Sequence, residues 1–164
     1  MKSSGENADP FKGFDLPAAR RSAWQYYRLD HIADDGYPIC RAPLDETRLA
    51  AHPIHGAYLI IEYINEFLRR GRKVLDLLVA AEQVARAAIA RMDRIDDTLR
   101  FMYRRSDGMT PYPFDFYSGL TQGRYLVALA RLWQVTHSEF LLEEAKGILR
   151  SLTVPAEQGG VLKA

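Results

Sequence analysis

Two runs of apolar residues at helical spacing stand back to back in the C-terminal third of the chain, with only two residues between them. The first runs through Leu120, Tyr125, Leu126, Ala128, Leu129, Leu132 and Trp133, the second through Phe140, Leu141, Ala145, Ile148, Leu149 and Leu152. Spacings of three and four write an amphipathic helix in each. Thr136 and His137 are too short a link for anything but an antiparallel hairpin. Ser138 stands where an N-cap side chain accepts from the free amides of the next helix.

The same pattern occurs earlier. Leu49, Ile54, Ala57, Tyr58, Ile61, Ile64, Phe67 and Leu68 predict one helix, with Pro53 near its first turn. Arg69-Arg70-Gly71 closes it, cations first and then a glycine able to take the left-handed conformation. Val74, Leu75, Leu78, Val79, Ala81, Val84, Ala85, Ala88 and Ile89 predict a second, whose alanines let a partner helix come close. Two helical hairpins in series describe either a bundle or part of an α/α barrel, and periodicity does not separate the two.

Between the hairpins the helical period fails. Thr98 to Arg104 alternates apolar and polar, as a short strand or hairpin arm would, and Ser106-Asp107-Gly108 and Pro111-Tyr112-Pro113 are turn signals. Residues 1–16 read as a flexible leader and 17–164 as one domain. Within it, Arg20 to Arg28 and the turn Asp34-Asp35-Gly36-Tyr37-Pro38 form an arm packed on the helical body. The expected fold class is therefore all-α, with a short irregular or β insertion.

Composition narrows the function. Lys+Arg 22 against Asp+Glu 21 gives +1, which excludes the broad basic field of a general nucleic-acid binder. An apolar fraction of 48% excludes a disordered chain. No apolar run reaches the roughly 18 residues of a membrane span, and the start MKSSGENADPFKGF has no apolar signal core, so a cytoplasmic chain is expected. One cysteine, Cys40, makes no internal disulfide and has no base beside it, so it reads as an inert thiol.

The most specific text is Asp115-Phe116-Tyr117-Ser118-Gly119-Leu120-Thr121-Gln122-Gly123-Arg124-Tyr125-Leu126-Val127-Ala128-Leu129-Ala130-Arg131. It resembles the aromatic-Tyr-Ser-x-x-x-Gln-Gly helix start of the D-glucuronyl C5-epimerase C-terminal domain family. Thr136, Phe140-Leu141, Glu143-Glu144-Ala145 and Gly159-Gly160-Val161 follow in the family's order. His52 to Tyr58 and Asp34 to Pro38 are similar to earlier family segments, so the resemblance spans about residues 24–162. It implies part of an α/α toroid, an incomplete barrel whose helix-hairpin mouths form a polysaccharide cleft. It also implies inversion at C5 of a glucuronate unit in a heparosan-type chain.

That chemistry needs a base on one face of the sugar, an acid on the other, and cations or hydrogen-bond donors for the developing enediolate. It requires no metal or organic cofactor. In the family the catalytic carboxylate and tyrosines follow the Gly-Val turn. No catalytic residue is therefore assigned, and the chain alone is expected to be inactive. The expected partner is an anionic uronic-acid polysaccharide, with a homodimer or a missing C-terminal half left open. A non-catalytic module binding polysaccharide or protein is the alternative.

Substrate-side candidates are Arg104 and Arg105, whose guanidinium groups suit carboxylate or sulfate, and Tyr117, Gln122 and Arg124 around the third helix start. Against these stand a solvated turn for the arginine pair and for Arg124, and core packing for Tyr117. A buried glutamine needs partners, which keeps Gln122 in either role. Trp24, Tyr26 and Tyr27 fit packing of the arm better than sugar stacking. His52 and His55 share a helix face but lack further ligands for a metal, and Asp34-Asp35 and Asp96-Asp97 read as caps and turns.

Overall fold

Both helical hairpins form in the computed structural model, which describes residues 29–158. Helices α1 (His55–Arg69) and α2 (Asp76–Ala90) make the first, and α3 (Gly119–Thr136) and α4 (Glu139–Ser151) the second. Leu59, Ile60 and Ile64 of α1 share a core with Leu77, Ala81 and Ala85 of α2, and with Tyr125, Leu129 and Leu132 of α3. Helix α1 packs on both α2 and α3.

The helix ends follow the residues. At Gly71 (φ 65°) the amide of Arg72 reaches the Phe67 carbonyl and that of Gly71 the Leu68 carbonyl, which is a Schellman closure. Ser118 accepts from the Thr121 amide at the start of α3. Ser138 occupies the N-cap position of α4 without a side-chain cap bond. Thr136 remains helical, so the α3–α4 link is His137, at φ 55°, and Ser138.

The expectation of an all-α fold is overturned. Seven short strands form three antiparallel sheets among the described residues: β1 (Leu29–Ile32), β2 (Pro38–Ala42) and β3 (Asp45–Ala50) in one, β4 (Asp93–Ile95) with β5 (Thr98–Arg100), and β6 (Met102–Tyr103) with β7 (Phe116–Tyr117). Among the described residues the fold is thus mixed, four helices with three small sheets, and not the expected all-α part-toroid with one short irregular or β insertion. Strand β3 explains part of the miss. Its sequence is DETRLA and its four central residues are exposed, so no buried face writes a period of two. Leu49 belongs to this strand, not to α1.

The N-terminal sheet is fastened to the helices at its turn. Gly36 (φ 88°) closes the β1–β2 hairpin, and the Gln83 amide of α2 donates to the Asp34 carbonyl beside it. Tyr37 is wholly buried, and its hydroxyl meets Tyr125 Oη at 2.9 Å and the Pro53 carbonyl at 3.1 Å. Gly56 makes room for that pair: a Cβ there would stand 2.5 Å from Tyr125 Oη and 2.7 Å from a Tyr37 ring carbon.

Phe101 is the switch between the two smaller sheets. The chain pairs with β4 up to Arg100 and with β7 from Met102, so the Phe101 peptide leaves both ladders. Gln122 supplies the missing partners, accepting from the Phe101 amide at 3.4 Å and donating to its carbonyl at 3.1 Å. This bracing fixes the registers Asp93↔Arg100 and Met102↔Tyr117 in one small region.

Candidate functional site

The two small sheets bring two separated residues, Arg104 and Tyr117, onto one carboxylate. Arg104, one residue past β6, donates from Nη2 to Asp93 Oδ1 at 2.8 Å. Tyr117 of β7 donates its hydroxyl to Asp93 Oδ2 at 3.1 Å. Asp115 Oδ2 lies 3.9 Å from Arg104 Nη1, and its other oxygen accepts the Arg105 amide at 2.7 Å. The buried Arg100 guanidinium lies over the Tyr117 ring, 5.4 Å from its centroid.

Electrostatics fix the protonation of this group. Burial pushes the Tyr117 phenol up to about 12, and the Asp93 carboxylate adds to the shift. Tyr117 is therefore a neutral donor at physiological pH. Arg104 keeps a side chain 43% exposed, with Nη2 held by Asp93 and Nη1 donating to Met102 Sδ at 3.4 Å.

Arg104 also lines a cavity of about 360 Å³. Arg48 of β3 and Arg91 at the end of α2 line it too, with Asp107 as the acidic member and Phe101, Met102 and Met109 among the apolar ones. Arg91 is positioned by Asp35 Oδ2 at 2.6 Å and lies over the Tyr37 ring. Burial raises the Asp35 carboxyl, but hydrogen bonds from Arg91 and the Tyr37 amide outweigh it and hold the group below its ordinary range. Three arginines against one aspartate make the lining net cationic. Planar guanidinium forks of this kind match carboxylate and sulfate oxygens in pairs.

Of the five residues predicted from sequence, Arg104 and Tyr117 meet directly through Asp93. Arg105 is exposed at the start of the 3-10 turn that follows, its backbone tied to Asp115. Gln122 is fully buried with both ends of its amide on Phe101, so it holds the strand switch. Arg124 lies over the Tyr58 ring of α1, at 5.5 Å from its centroid. Trp24, Tyr26 and Tyr27, the leader 1–16 and the Gly159-Gly160-Val161 turn lie outside the described residues.

Sequence reading missed Asp93, Arg48 and Arg91. For Asp93 a signal existed. Asp96-Asp97 is a two-residue hairpin turn closed by the pair Ile95↔Thr98, with Asp96 at φ 51°. Read as a hairpin, it places Asp93 opposite Arg100 and beside the alternating segment. For Arg48 and Arg91 only the tertiary packing brings the residues together.

His52 and His55 stack face to face with ring centroids 4.3 Å apart, and Tyr103 meets His52 edge-on. Burial depresses both, His52 to about 4 and His55 to about 3, and the nearby His52 adds to the shift of His55. Among the described residues no group of three or more His, Cys, Asp or Glu is arranged to hold a metal ion. Cys40 is buried in β2 against the Ala50 carbonyl. No helix among the described residues is long and apolar enough to cross a membrane.

The chain matches no curated protein and no solved structure. Its latter part, which carries Arg104, Arg105, Tyr117 and the strand switch, does match a family. Residues 94–164 match the family described as D-glucuronyl C5-epimerase C-terminus, so the latter part of this chain is similar to that family.

Proposed function

We propose that the chain binds a uronate-bearing polysaccharide of the heparosan type and supplies the cationic grip of a glucuronyl C5-epimerase site. The observation that carries this reading is the Asp93-anchored pair Arg104 and Tyr117 at the edge of an arginine-lined cavity, within or beside the family match. A guanidinium on the sugar carboxylate stabilises the enediolate that forms when the adjacent C5 proton leaves. Tyr117, kept as a phenol, donates a hydrogen bond. Asp93 has both oxygens engaged and does not serve as the base; proton abstraction belongs to residues outside this group.

The test is equilibrium binding of heparosan oligosaccharides at several salt concentrations. Arg104→Ala with Arg105→Ala is expected to weaken binding about tenfold or more and to flatten its salt dependence. Unchanged affinity in the folded double variant would remove both residues from the site.

A further inference from the structure

Beside the arginines the structure holds an exposed aromatic pair that the cationic site does not use. Tyr112 and Phe114 are 52% and 58% exposed, yet their rings stack with centroids 5.5 Å apart and planes 9° from parallel. Large aromatics left in water are normally scattered, and a stacked exposed pair is an organised apolar surface. From the geometry we infer that Tyr112 and Phe114 form a sugar-ring subsite, stacking on the apolar face of a pyranose next to the uronate gripped by Arg104. This rests on the proposed polysaccharide-binding function.

Three observations support it. First, the pair is rigid. Pro111 and Pro113 alternate with the aromatics and fix backbone angles on both sides, and Thr110, itself buried, accepts the Tyr112 amide at 3.1 Å. A platform ordered before binding loses little entropy when it binds.

Second, its position is fixed relative to the cations. Tyr112 meets Phe116 edge-on, with centroids 5.7 Å apart, and Phe116 stacks on Tyr103 at 5.0 Å. Tyr103 immediately precedes Arg104, so a short aromatic ladder runs from the exposed pair to the arginine. Third, the two chemistries are those that a uronate polymer presents together. Its carboxylates need cations, and the C–H faces of its rings need flat apolar surfaces.

The experiment compares heparosan oligosaccharide with the same oligosaccharide after its carboxylates are reduced to alcohols. The unmodified chain should bind both, the charged form more tightly. Tyr112→Ala with Phe114→Ala should weaken both by about tenfold at every salt concentration, since stacking is not screened. Arg104→Ala with Arg105→Ala should weaken only the charged form. Exposed aromatics contribute little to the core, so the first variant should keep the parent's melting curve. Heparosan binding that is unchanged by the aromatic substitutions overturns the subsite and leaves the cationic reading standing. No heparosan binding by the unmodified chain overturns both. Sedimentation that depends on concentration and is abolished by Phe114→Ala would give the pair to a second copy of the chain, and would also overturn the subsite.

Discussion

Gly56 shows how one atom governs the junction between sheet and helices. Gly56→Ala puts a methyl group into the Tyr37–Tyr125 contact, where both rings are buried and neither is a flexible chain end. Overpacking of this kind destabilises by about 1–3 kcal/mol, to be read from denaturant unfolding. Gly71→Ala provides the contrast, because nothing lies within 4 Å of its Cβ position and only the positive φ resists substitution.

The histidines set the first acid limit. Unfolded histidine takes its proton near pH 6.5, whereas folded His52 and His55 stay neutral down to about 4 and 3. Between these values the unfolded chain binds more protons, so stability falls as pH drops from 6.5 toward 4. Glu66 acts in a lower window. Hydrogen bonds from Arg69, and then Arg70, outweigh its burial and hold its carboxyl at about 2, so its contribution is present above pH 4.5 and lost as pH falls toward 2. Melting curves across pH should show the histidine loss first. His52→Phe, which keeps a ring against Tyr103, should make the upper segment shallower. An unchanged slope there would remove His52 as a cause.

At the scale of elements, the strand switch at Phe101 depends on one glutamine. Gln122→Leu leaves a buried amide and carbonyl without partners, a loss of about 1–3 kcal/mol for each group left unsatisfied. The effect should appear in hydrogen exchange at Phe101 before it appears at the helices. The helices themselves were legible in sequence, because each buries one face and Gly71 marks an end with known chemistry, whereas the expected cap Ser138 makes no side-chain bond and the cap that does, Ser118, went unread. The strands were far less so. Strand β3 is charged and held by its ladder to β2, and β6 and β7 are two residues each, too short to write any period.

Legibility of the site divides in the same way. Arg104 and Tyr117 were visible as residue types beside a recognisable helix start. Their common anchor was not, because Asp93 lies 24 positions from Tyr117 and meets it only through the two hairpins. Gln122 was visible as a residue needing partners, but only the fold reveals that both are the peptide of Phe101.

For the whole molecule, sheets and helices converge on a cationic cavity, and Asp93 orients Arg104 at its edge and adds to the upward shift of the Tyr117 phenol. Asp93→Asn should therefore lower the Tyr117 pKa from about 12 toward its ordinary 10, because the nearby carboxylate is one cause of the rise. Titration of the Tyr117 ring resonances by NMR checks the direction. A Tyr117 that titrates unchanged would separate it from Asp93.

The most direct test of the account follows the amide and arginine side-chain NMR signals of the labelled chain as heparosan oligosaccharide is added. The account predicts saturable shifts at Arg104, Arg105, Tyr117 and the cavity arginines Arg48 and Arg91, with Arg124 and the far ends of α3 and α4 unmoved. Saturable shifts confined to Arg124 and the outer helix faces, or none anywhere, would contradict it.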